Sequence, residues 1–187
     1  MTCGLVCAVL VLAVAGASAA DDLLLGEARG VAASVPPQLL AVLQAEIARG
    51  GLAGAIEACR VKAPELAQEA SRRTGWQVRR VSLRNRNPRA VPDAWERAVL
   101  EDFDHRAAAG EDPAALEKGE IVVEDGVKSY RYMKALPVQP LCLGCHGSEA
   151  ALVPGVRERL ARDYPADRAT GYALGQVRGA MTVRREL

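Results

Sequence analysis

The run Cys142-Leu143-Gly144-Cys145-His146 constrains this chain more than any other stretch. Two thiols three positions apart, followed directly by a histidine, have the spacing that attaches a haem covalently, because each thiol can add across one haem vinyl group. The histidine that follows is then held where it can coordinate the iron. We therefore predict one covalent haem c on Cys142 and Cys145, with His146 as an iron ligand.

Two other interpretations of this motif rank lower. A zinc site needs four ligands, and the sequence has no second Cys/His pair at ligand spacing. A thioredoxin-like dithiol normally opens a helix that follows a strand. Here Pro137 and Pro140 precede the motif and Gly147 follows it, so we predict that it lies in a loop. Either a zinc or a dithiol module would give a colourless protein.

The N-terminus has the pattern of an export signal. Residues 5–17 form an apolar run, and small residues lead from it to Asp21-Asp22. This pattern is typical of a secretory signal peptide cleaved near Ala20, although no Lys or Arg precedes the run. The run is shorter than the ~20 apolar residues of a membrane span. We expect residues 1–20 to be removed and residues 21–187 to form one periplasmic domain, with no stable membrane insertion and no later spanning segment.

The charge balance restricts the partners. The formal net charge is +1 at pH 7, with neither a basic stripe for nucleic acid nor a polybasic membrane arm. The length suits a single domain that buries a core and a cofactor. Aromatic residues make up only 4% of the chain, and a haem would supply much of the large, flat apolar surface that they would otherwise provide.

The cysteine count singles out Cys59. Five cysteines become three after cleavage, and the motif uses two of these. An odd thiol in an oxidising compartment is buried and inert, paired between chains, or bound to a metal. Cys59 lies seven residues after Leu52, on the apolar face of a predicted helix over residues 52–73, so its thiol is expected to point inward. Pro64 is expected to kink this helix nearby.

The order of the predicted elements favours an α+β fold with an antiparallel sheet, because helices come first and strands mostly later. A loosely docked helix is expected over residues 21–35, ending at Pro36-Pro37. The other predicted helices cover residues 37–49, 52–73, 92–108 and 153–162, and the predicted strands cover 77–83, 120–124, 127–136 and 179–184. Gly50-Gly51 should separate two helices, and Asp125-Gly126 should form a two-residue hairpin turn.

Several segments together resemble a bacterial family of c-type haem domains with a PAS-like fold. The matching pieces, in order, are Cys59-Arg60, Ala63-Pro64, residues 80–88, 92–96, 130–134, 142–147, 164–167, Gly171-Tyr172, Gly175 and residues 178–180. The resemblance implies a monohaem domain whose central antiparallel sheet is flanked by helices, with N-terminal helices packed on it. It also implies that Cys59 lies across the haem from His146. Members of this family occur alone and as extracytoplasmic sensor modules of membrane signalling proteins.

Cys59 is the strongest of the candidates for the second iron ligand. Cys59 has an inward orientation, a nearby proline, no free partner and the family pattern, so we predict that it binds the iron as a thiolate. The alternative for Cys59 is an inert buried thiol. His105 falls outside the apolar stripe of its helix and is expected to be solvated. Met133 and Met181 are expected to belong to the core.

Arginines are the expected partners of the haem propionates, because guanidinium groups match carboxylates. Arg79, Arg80, Arg84 and Arg86 cluster beside a loop, and a solvated charged face is an equally good interpretation of them. Arg60, next to Cys59, would help to lower the pKa of that thiol. We assign Arg60, Arg84 and Arg86 to cofactor binding.

These features predict an exported monohaem c-type cytochrome that acts in electron transfer or in redox or ligand sensing, and not as an enzyme. Its partner would be a redox protein or a membrane signalling protein, with a small gas as a candidate ligand. No kinase, cyclase or anchoring helix is recognised before Leu187, so electron transfer ranks slightly ahead of sensing. The rival enzyme is a small haem peroxidase, which needs an open distal site and a general base. His105 is poorly placed for that role.

Overall fold

The computed structural model describes residues 19–187. Most of the predicted leader, residues 1–18, lies outside the described residues. The elements in chain order are α1 (Ala19–Thr74), β1 (Gln77–Val81), α2 (Ala94–Ala108), β2 (Glu117–Glu124), β3 (Val127–Pro137), α3 (Leu143–His146), α4 (Pro154–Asp163) and β4 (Val177–Glu186). Three short 3-10 turns cover Pro88–Ala90, Pro140–Cys142 and Glu149–Ala151. The four strands form an antiparallel sheet in the order β1-β4-β3-β2, so the predicted α+β fold with an antiparallel sheet is confirmed.

Helix α1 is broken at Gly51, where the backbone takes φ 68° and ψ −176°. The predicted separation of two helices at Gly50-Gly51 is therefore confirmed, because glycine reaches this left-handed φ without steric cost. Pro64, where a kink was expected, lies inside α1. The non-helical backbone angles of this helix are at Gly51 instead.

The prediction of a loosely docked first helix that ends at Pro36-Pro37 is wrong. Both prolines lie inside α1. Before them, Ala28, Val31, Ala32 and Val35 are buried in one core cluster with residues of the sheet. Burial of this apolar stripe outweighs the local cost of two missing N–H donors. Tertiary packing thus sets the extent of the helix.

The length and the apolar composition of α1 bear on the expectation that no membrane-spanning segment follows the leader. Within the described residues, this helix is long enough, and over one 18-residue window apolar enough (mean hydropathy 1.4), to meet the length and composition of a span. The core helix of a soluble protein can have the same length and composition, so the expectation that no membrane-spanning segment follows the leader stays a prediction. Signal sequences near an N-terminus pass the same test.

The sheet buries both of its faces. One face packs against α1 through a cluster that includes Trp76, Tyr130, Tyr132, Met181 and Val183. The other packs against α2 through Val81, Val99, Leu100, Phe103, Met133 and Ala135, among others. Because side chains alternate along a strand, Tyr132 and Met133 fall on opposite faces of the sheet. Met133 and Met181 are core residues, which confirms the expectation for both.

The hairpin and the start of α2 also follow local signals. Asp125 and Gly126 both have positive φ, 52° and 80°, as the two-residue turn between β2 and β3 requires. Asp93 accepts a hydrogen bond from the Glu96 N–H, and the Glu96 carboxylate accepts one from the Asp93 N–H. This capping box places the first helical residue at Ala94, two positions after the predicted start.

A buried ion network ties α2 to the sheet. The side chains of Arg131 on β3 and Glu96 on α2 are each only 3% exposed, and their charged atoms lie 3.7 Å apart. Arg131 also pairs with Asp93 and, at 3.0 Å, with Glu124, while Glu96 pairs with Arg79. A buried charge needs such partners, since removing one of them leaves the others without compensation.

Glu96→Gln is therefore expected to destabilise the fold by about 3 kcal/mol, because Arg131 then keeps its charge in a buried position with one carboxylate fewer. Urea denaturation of the purified protein measures this change. The matched control is Glu101→Gln on the exposed side of the same helix, which should stay within about 0.5 kcal/mol of the parent. Equal stabilities of the two variants would contradict the buried network.

Candidate haem site

The Cys-Leu-Gly-Cys-His motif forms short helical turns, and not the predicted loop. Pro140 begins a 3-10 turn that ends at Cys142, and α3 continues from Leu143 to His146. Proline suits the first position of a helical turn because its missing N–H would have no partner there. Backbone bonds fix the end of the motif: the Tyr172 N–H donates to the His146 carbonyl at 2.9 Å, and the Gly171 N–H to that of Gly147 at 2.7 Å.

His146 is held in one tautomer. Its Nδ1 lies 2.7 Å from the Ala169 carbonyl oxygen. A carbonyl only accepts hydrogen bonds, so Nδ1 carries the proton and Nε2 keeps a free lone pair. Burial, helped by the charges of Arg178 and Arg86, holds the pKa of His146 well below its ordinary value. The ring is therefore neutral, which is the form that coordinates metals.

Arg178 is a site residue that the sequence analysis did not assign. It is 6% exposed, and its Nη1 donates to Ser82 Oγ at 3.0 Å and to the Arg84 carbonyl at 3.3 Å. Its Nε lies 3.3 Å from His146 Nδ1, which cannot accept while it donates to Ala169; the shorter bond to Ala169 prevails. Burial, together with the charge of Arg80, lowers the pKa of Arg178 to about 9. The sequence held one signal for it, the Arg-Gly pair at the start of β4.

Gly179 lets β4 approach β1 beside Arg178. Its φ is 151°, and a Cβ at this position would lie 2.3 Å from the Val81 carbonyl oxygen. No side chain fits there without moving the backbone of β1, which continues into Ser82. The glycine thus sets the distance between the two strands on which Arg178 and Ser82 meet.

Gly179→Ala is expected to destabilise the protein by at least about 3 kcal/mol, because it combines backbone strain with a clash against β1. The midpoint of urea unfolding measures the effect. The control is Gly26→Ala in the exposed part of α1, where nothing lies within 4 Å of the added methyl group. That change should stabilise the helix by about 0.5–1 kcal/mol. A neutral Gly179→Ala would contradict the close strand approach.

The two motif cysteines contact different parts of the structure. Cys142 packs against the cluster of Val138, Ala169 and Tyr172. Cys145 packs against a second cluster that contains Ile56 of α1 and Leu152, and burial raises its pKa. Helix α1 reaches the motif directly, since a Cβ on Gly144 would lie 2.9 Å from the Leu52 side chain.

Cys59 lies on α1, one helical turn after Ile56, within electrostatic range of both motif thiols. Burial raises its pKa, while the charges of Arg80, Arg86 and Arg178 oppose that rise. The predicted inward orientation is confirmed. Cys59, Cys142 and Cys145 are all free thiols in the described part of the chain. The fold thus brings Cys59, which is far away in sequence, close to the motif that carries two thiols and a neutral imidazole.

The predicted arginines divide into those that reach this site and those that do not. Arg86 reaches it: it donates to the Cys145 carbonyl at 2.6 Å and pairs with Asp167 at 3.0 Å. Arg80 also reaches it, since its charge acts on Cys59 and Cys142. Arg60 instead pairs with Glu57 at 2.6 Å on the exposed side of α1. Arg84 stacks on Tyr172, with its Cζ 3.5 Å from the ring centre.

The expected influence of Arg60 on the Cys59 thiol is therefore corrected. Arg80, Arg86 and Arg178 are the arginines whose charges lower the pKa of Cys59. Arg60 follows Cys59 in sequence, but a helix rotates about 100° per residue, so the two side chains leave α1 in different directions. Arg79 lies on the face of β1 opposite to Arg80, where it pairs with Glu96 of α2. His105 is exposed on α2, as expected.

The donor set fits a haem. In residues 19–187, no three His, Cys, Asp or Glu side chains converge so that they could hold a metal ion among themselves, as a zinc site requires. A covalently attached haem instead needs two thiols for its vinyl groups, side chains that can hold its iron, and cations for its two carboxylates. The buried, neutral His146 and the guanidinium groups of Arg80 and Arg178 near the thiols match those needs.

Comparisons with known proteins agree with this chemistry. The family model described as Tll0287-like matches residues 17–185. The solved structure of the cyanobacterial haem protein Tll0287 is similar to this chain, with a TM-score of 0.55 and 28% sequence identity over 69% of this chain and 71% of the other. The search of curated proteins gave no match. Since the family model spans nearly the whole described chain, this protein belongs to the Tll0287-like family.

Proposed function

We propose that this protein is an exported, periplasmic c-type cytochrome with one covalent haem, acting in electron transfer or in redox or ligand sensing. The observation that carries the proposal is the 2.7 Å bond from His146 Nδ1 to the Ala169 carbonyl. A histidine that ligates a metal typically donates its other ring N–H to such an acceptor, which fixes the ring and raises its basicity. The two thiols beside it provide the attachment points.

His146 and Cys59 are the residues proposed to hold the haem iron. When bound, the haem supplies a one-electron redox centre and an iron that can take a small diatomic ligand. His146 offers Nε2 from the motif side, and the Cys59 sulfur approaches from α1. Because only the thiolate binds iron, ligation must release the Cys59 proton, and the nearby Arg80, Arg86 and Arg178 favour the charged sulfur.

Arg80 and Arg178 are the proposed partners of the haem carboxylates, together with Arg86. In the described part of the chain, the Arg80 side chain forms no hydrogen bond and no ion pair within 4 Å. Arg178 bonds to neutral acceptors only. Arg86 already has Asp167. Buried or half-buried cations without a carboxylate are costly, and the two propionates would compensate them.

The ligand pair favours a redox or gas switch over a fast electron carrier. A thiolate stabilises the ferric state, so the reduction potential should be low compared with His/Met cytochromes. Burial raises the pKa of Cys59, so this sulfur is the group of the chain that would hold a proton in the reduced protein. A haem that Cys59 no longer held would supply a site for a small ligand. A redox protein or a membrane signalling protein is the proposed partner.

We propose that the protein is not an enzyme. The alternative to this proposal is a peroxidase-like enzyme. An enzyme would require an open sixth position and a general base. Five-coordinate high-spin ferric iron in the resting protein would favour it.

The experiment that tests the proposal is expression of the full chain with the periplasmic haem-maturation machinery. We expect a red protein that keeps its haem after denaturation and acid extraction, with a low-spin ferric signal of thiolate type by EPR. Carbon monoxide bound by the ferrous form would support sensing, whereas an unreactive six-coordinate ferrous form would support electron transfer. A colourless protein would overturn the proposal.

Arg80→Gln is expected to raise the pH at which the thiolate signal is lost on acidification. Arg80 lowers the pKa of Cys59, so removing its charge makes the sulfur easier to protonate. A pH titration of the ferric optical spectrum, in the parent and the variant, measures the shift. Arg60→Gln is the matched control, because Arg60 is adjacent to Cys59 in sequence but pairs with Glu57 on the exposed side of α1. A shift to lower pH would contradict the placement of Arg80 beside Cys59.

A further inference from the structure

A separate cavity of about 810 Å³ lies on the α2 side of the sheet. Its walls come from α2, the segment after β1 and the segment around the start of β4. They include Leu83, Leu100, Tyr172 and Val177, and none of Cys59, Cys142, Cys145 and His146. Its size is that of a typical small-molecule site, in which apolar walls surround a few polar groups.

Arg84 lines this cavity, and the N–H groups of its guanidinium have no hydrogen-bond partner among the described residues. Its Cζ is 3.5 Å from the centre of the Tyr172 ring, so the guanidinium rests on the aromatic face. Within residues 19–187 its side chain forms no hydrogen bond and no ion pair within 4 Å. A guanidinium fixed by stacking is oriented to bind a carboxylate through two parallel hydrogen bonds.

Asp104 lines the same cavity from α2. In the described residues, its carboxylate also has neither a hydrogen bond nor an ion pair within 4 Å. Asp104 is exposed, and the partial burial of its carboxyl raises its pKa. The charges of Arg84 and His105 counteract part of that rise, so Arg84 lies within electrostatic range of Asp104 but forms no ion pair with it. Another acidic residue of the wall, Glu111, differs, because it pairs with Arg106.

We propose that this cavity binds a free amino acid. Its carboxylate would bind Arg84, its ammonium group would bind Asp104, and an aliphatic side chain would pack against Leu100 and Val177. A simple carboxylic acid would place its charge beside Asp104, and a simple amine would place its charge beside Arg84. Only a zwitterion satisfies both charged groups at once.

This site goes beyond the proposed haem function and does not depend on the second iron ligand. Ser82, Tyr172 and Gly179 line this cavity and also lie beside the haem site. The Tyr172 ring that supports Arg84 meets the His146 ring edge to face, with centres 6.3 Å apart.

The test uses the haem-loaded full chain and each common free amino acid in turn, at millimolar concentration, in a thermal-shift measurement. The best binder is then titrated by calorimetry against its deaminated acid and its decarboxylated amine. We expect each of these two analogues to bind at least about tenfold more weakly, because each loses one charge-assisted pair. Arg84→Gln and Asp104→Asn should each weaken the amino acid by about tenfold or more.

The controls are Arg89→Gln and Glu101→Gln, which remove an exposed charge outside the cavity and should bind like the parent. Covalent haem content is measured for every variant and should not change. The proposal is overturned if no amino acid gives saturable binding, or if the acid or the amine binds as well as the amino acid. It is also overturned if Arg84→Gln loses haem, since Arg84 would then belong to the haem site.

Discussion

Cys59→Ala is expected to abolish the thiolate-type low-spin signal of the ferric protein while the covalent haem stays in place. The sulfur of Cys59 lies within electrostatic range of both motif thiols, beside three arginines, and no other described cysteine is available to replace it. Loss of an anionic ligand removes the preference for ferric iron. The midpoint potential should therefore rise by roughly 100 mV or more.

EPR and an optical redox titration measure both effects. Arg60→Gln is the matched control, because Arg60 is adjacent in sequence but pairs with Glu57 on the surface of α1. Its spectrum and potential should equal those of the parent. An unchanged spectrum in Cys59→Ala would make Cys59 an inert buried thiol. A change in Arg60→Gln of the same size would mean that the helix, and not the thiol, controls the iron.

The double substitution Cys142→Ser and Cys145→Ser is expected to remove covalent haem completely, because no vinyl group can then form a thioether. Each single substitution should leave haem attached through one remaining bond. Haem staining after denaturing electrophoresis distinguishes these outcomes. Cys59→Ala serves as the control that removes a thiol at the same site without removing the stain. Haem stain retained in the double variant would show that the motif is not the point of attachment.

The substitutions of Cys142 and Cys145 also distinguish a haem protein from a zinc or dithiol module. A zinc or dithiol module would show no stain in any variant, including the parent. The structure gives His146 a fixed tautomer whether or not the thiols are present, because its partner is the backbone carbonyl of Ala169. A haem held by His146 alone, without thioethers, would therefore be extractable but still visible in the native protein.

Local patterns predicted the elements whose signals lie within a few residues. The left-handed turn at Asp125-Gly126 and the break at Gly51 depend on backbone chemistry next to each residue. The alternation of β3 was readable for the same reason. Pro36-Pro37 led to a wrong end for the first helix. The proline signal is local, whereas the packing of Val31 and Val35 against the sheet involves distant residues.

The partners of charged side chains could not be predicted in this way. Arg60 and Arg84 resemble Arg86 in sequence, yet only Arg86 contacts the motif, through the Cys145 carbonyl. Arg178 is 32 residues from His146 and 96 from Ser82 in sequence, and it meets both. Such contacts depend on the register of β4 against β1 and β3, which no single segment specifies.

By itself, the sequence determined three features: two thiols and a histidine at haem-attachment spacing, a further thiol at Cys59 outside that motif, and an α+β fold with an antiparallel sheet. These follow from residue types and short spacings, which the chain carries wherever it folds. The tertiary structure alone decided which nitrogen of His146 is free, which arginines face Cys59, and that Arg84 lies in a second cavity. Each of these depends on a carbonyl, a ring or a charge from a distant segment, and only packing brings those segments together.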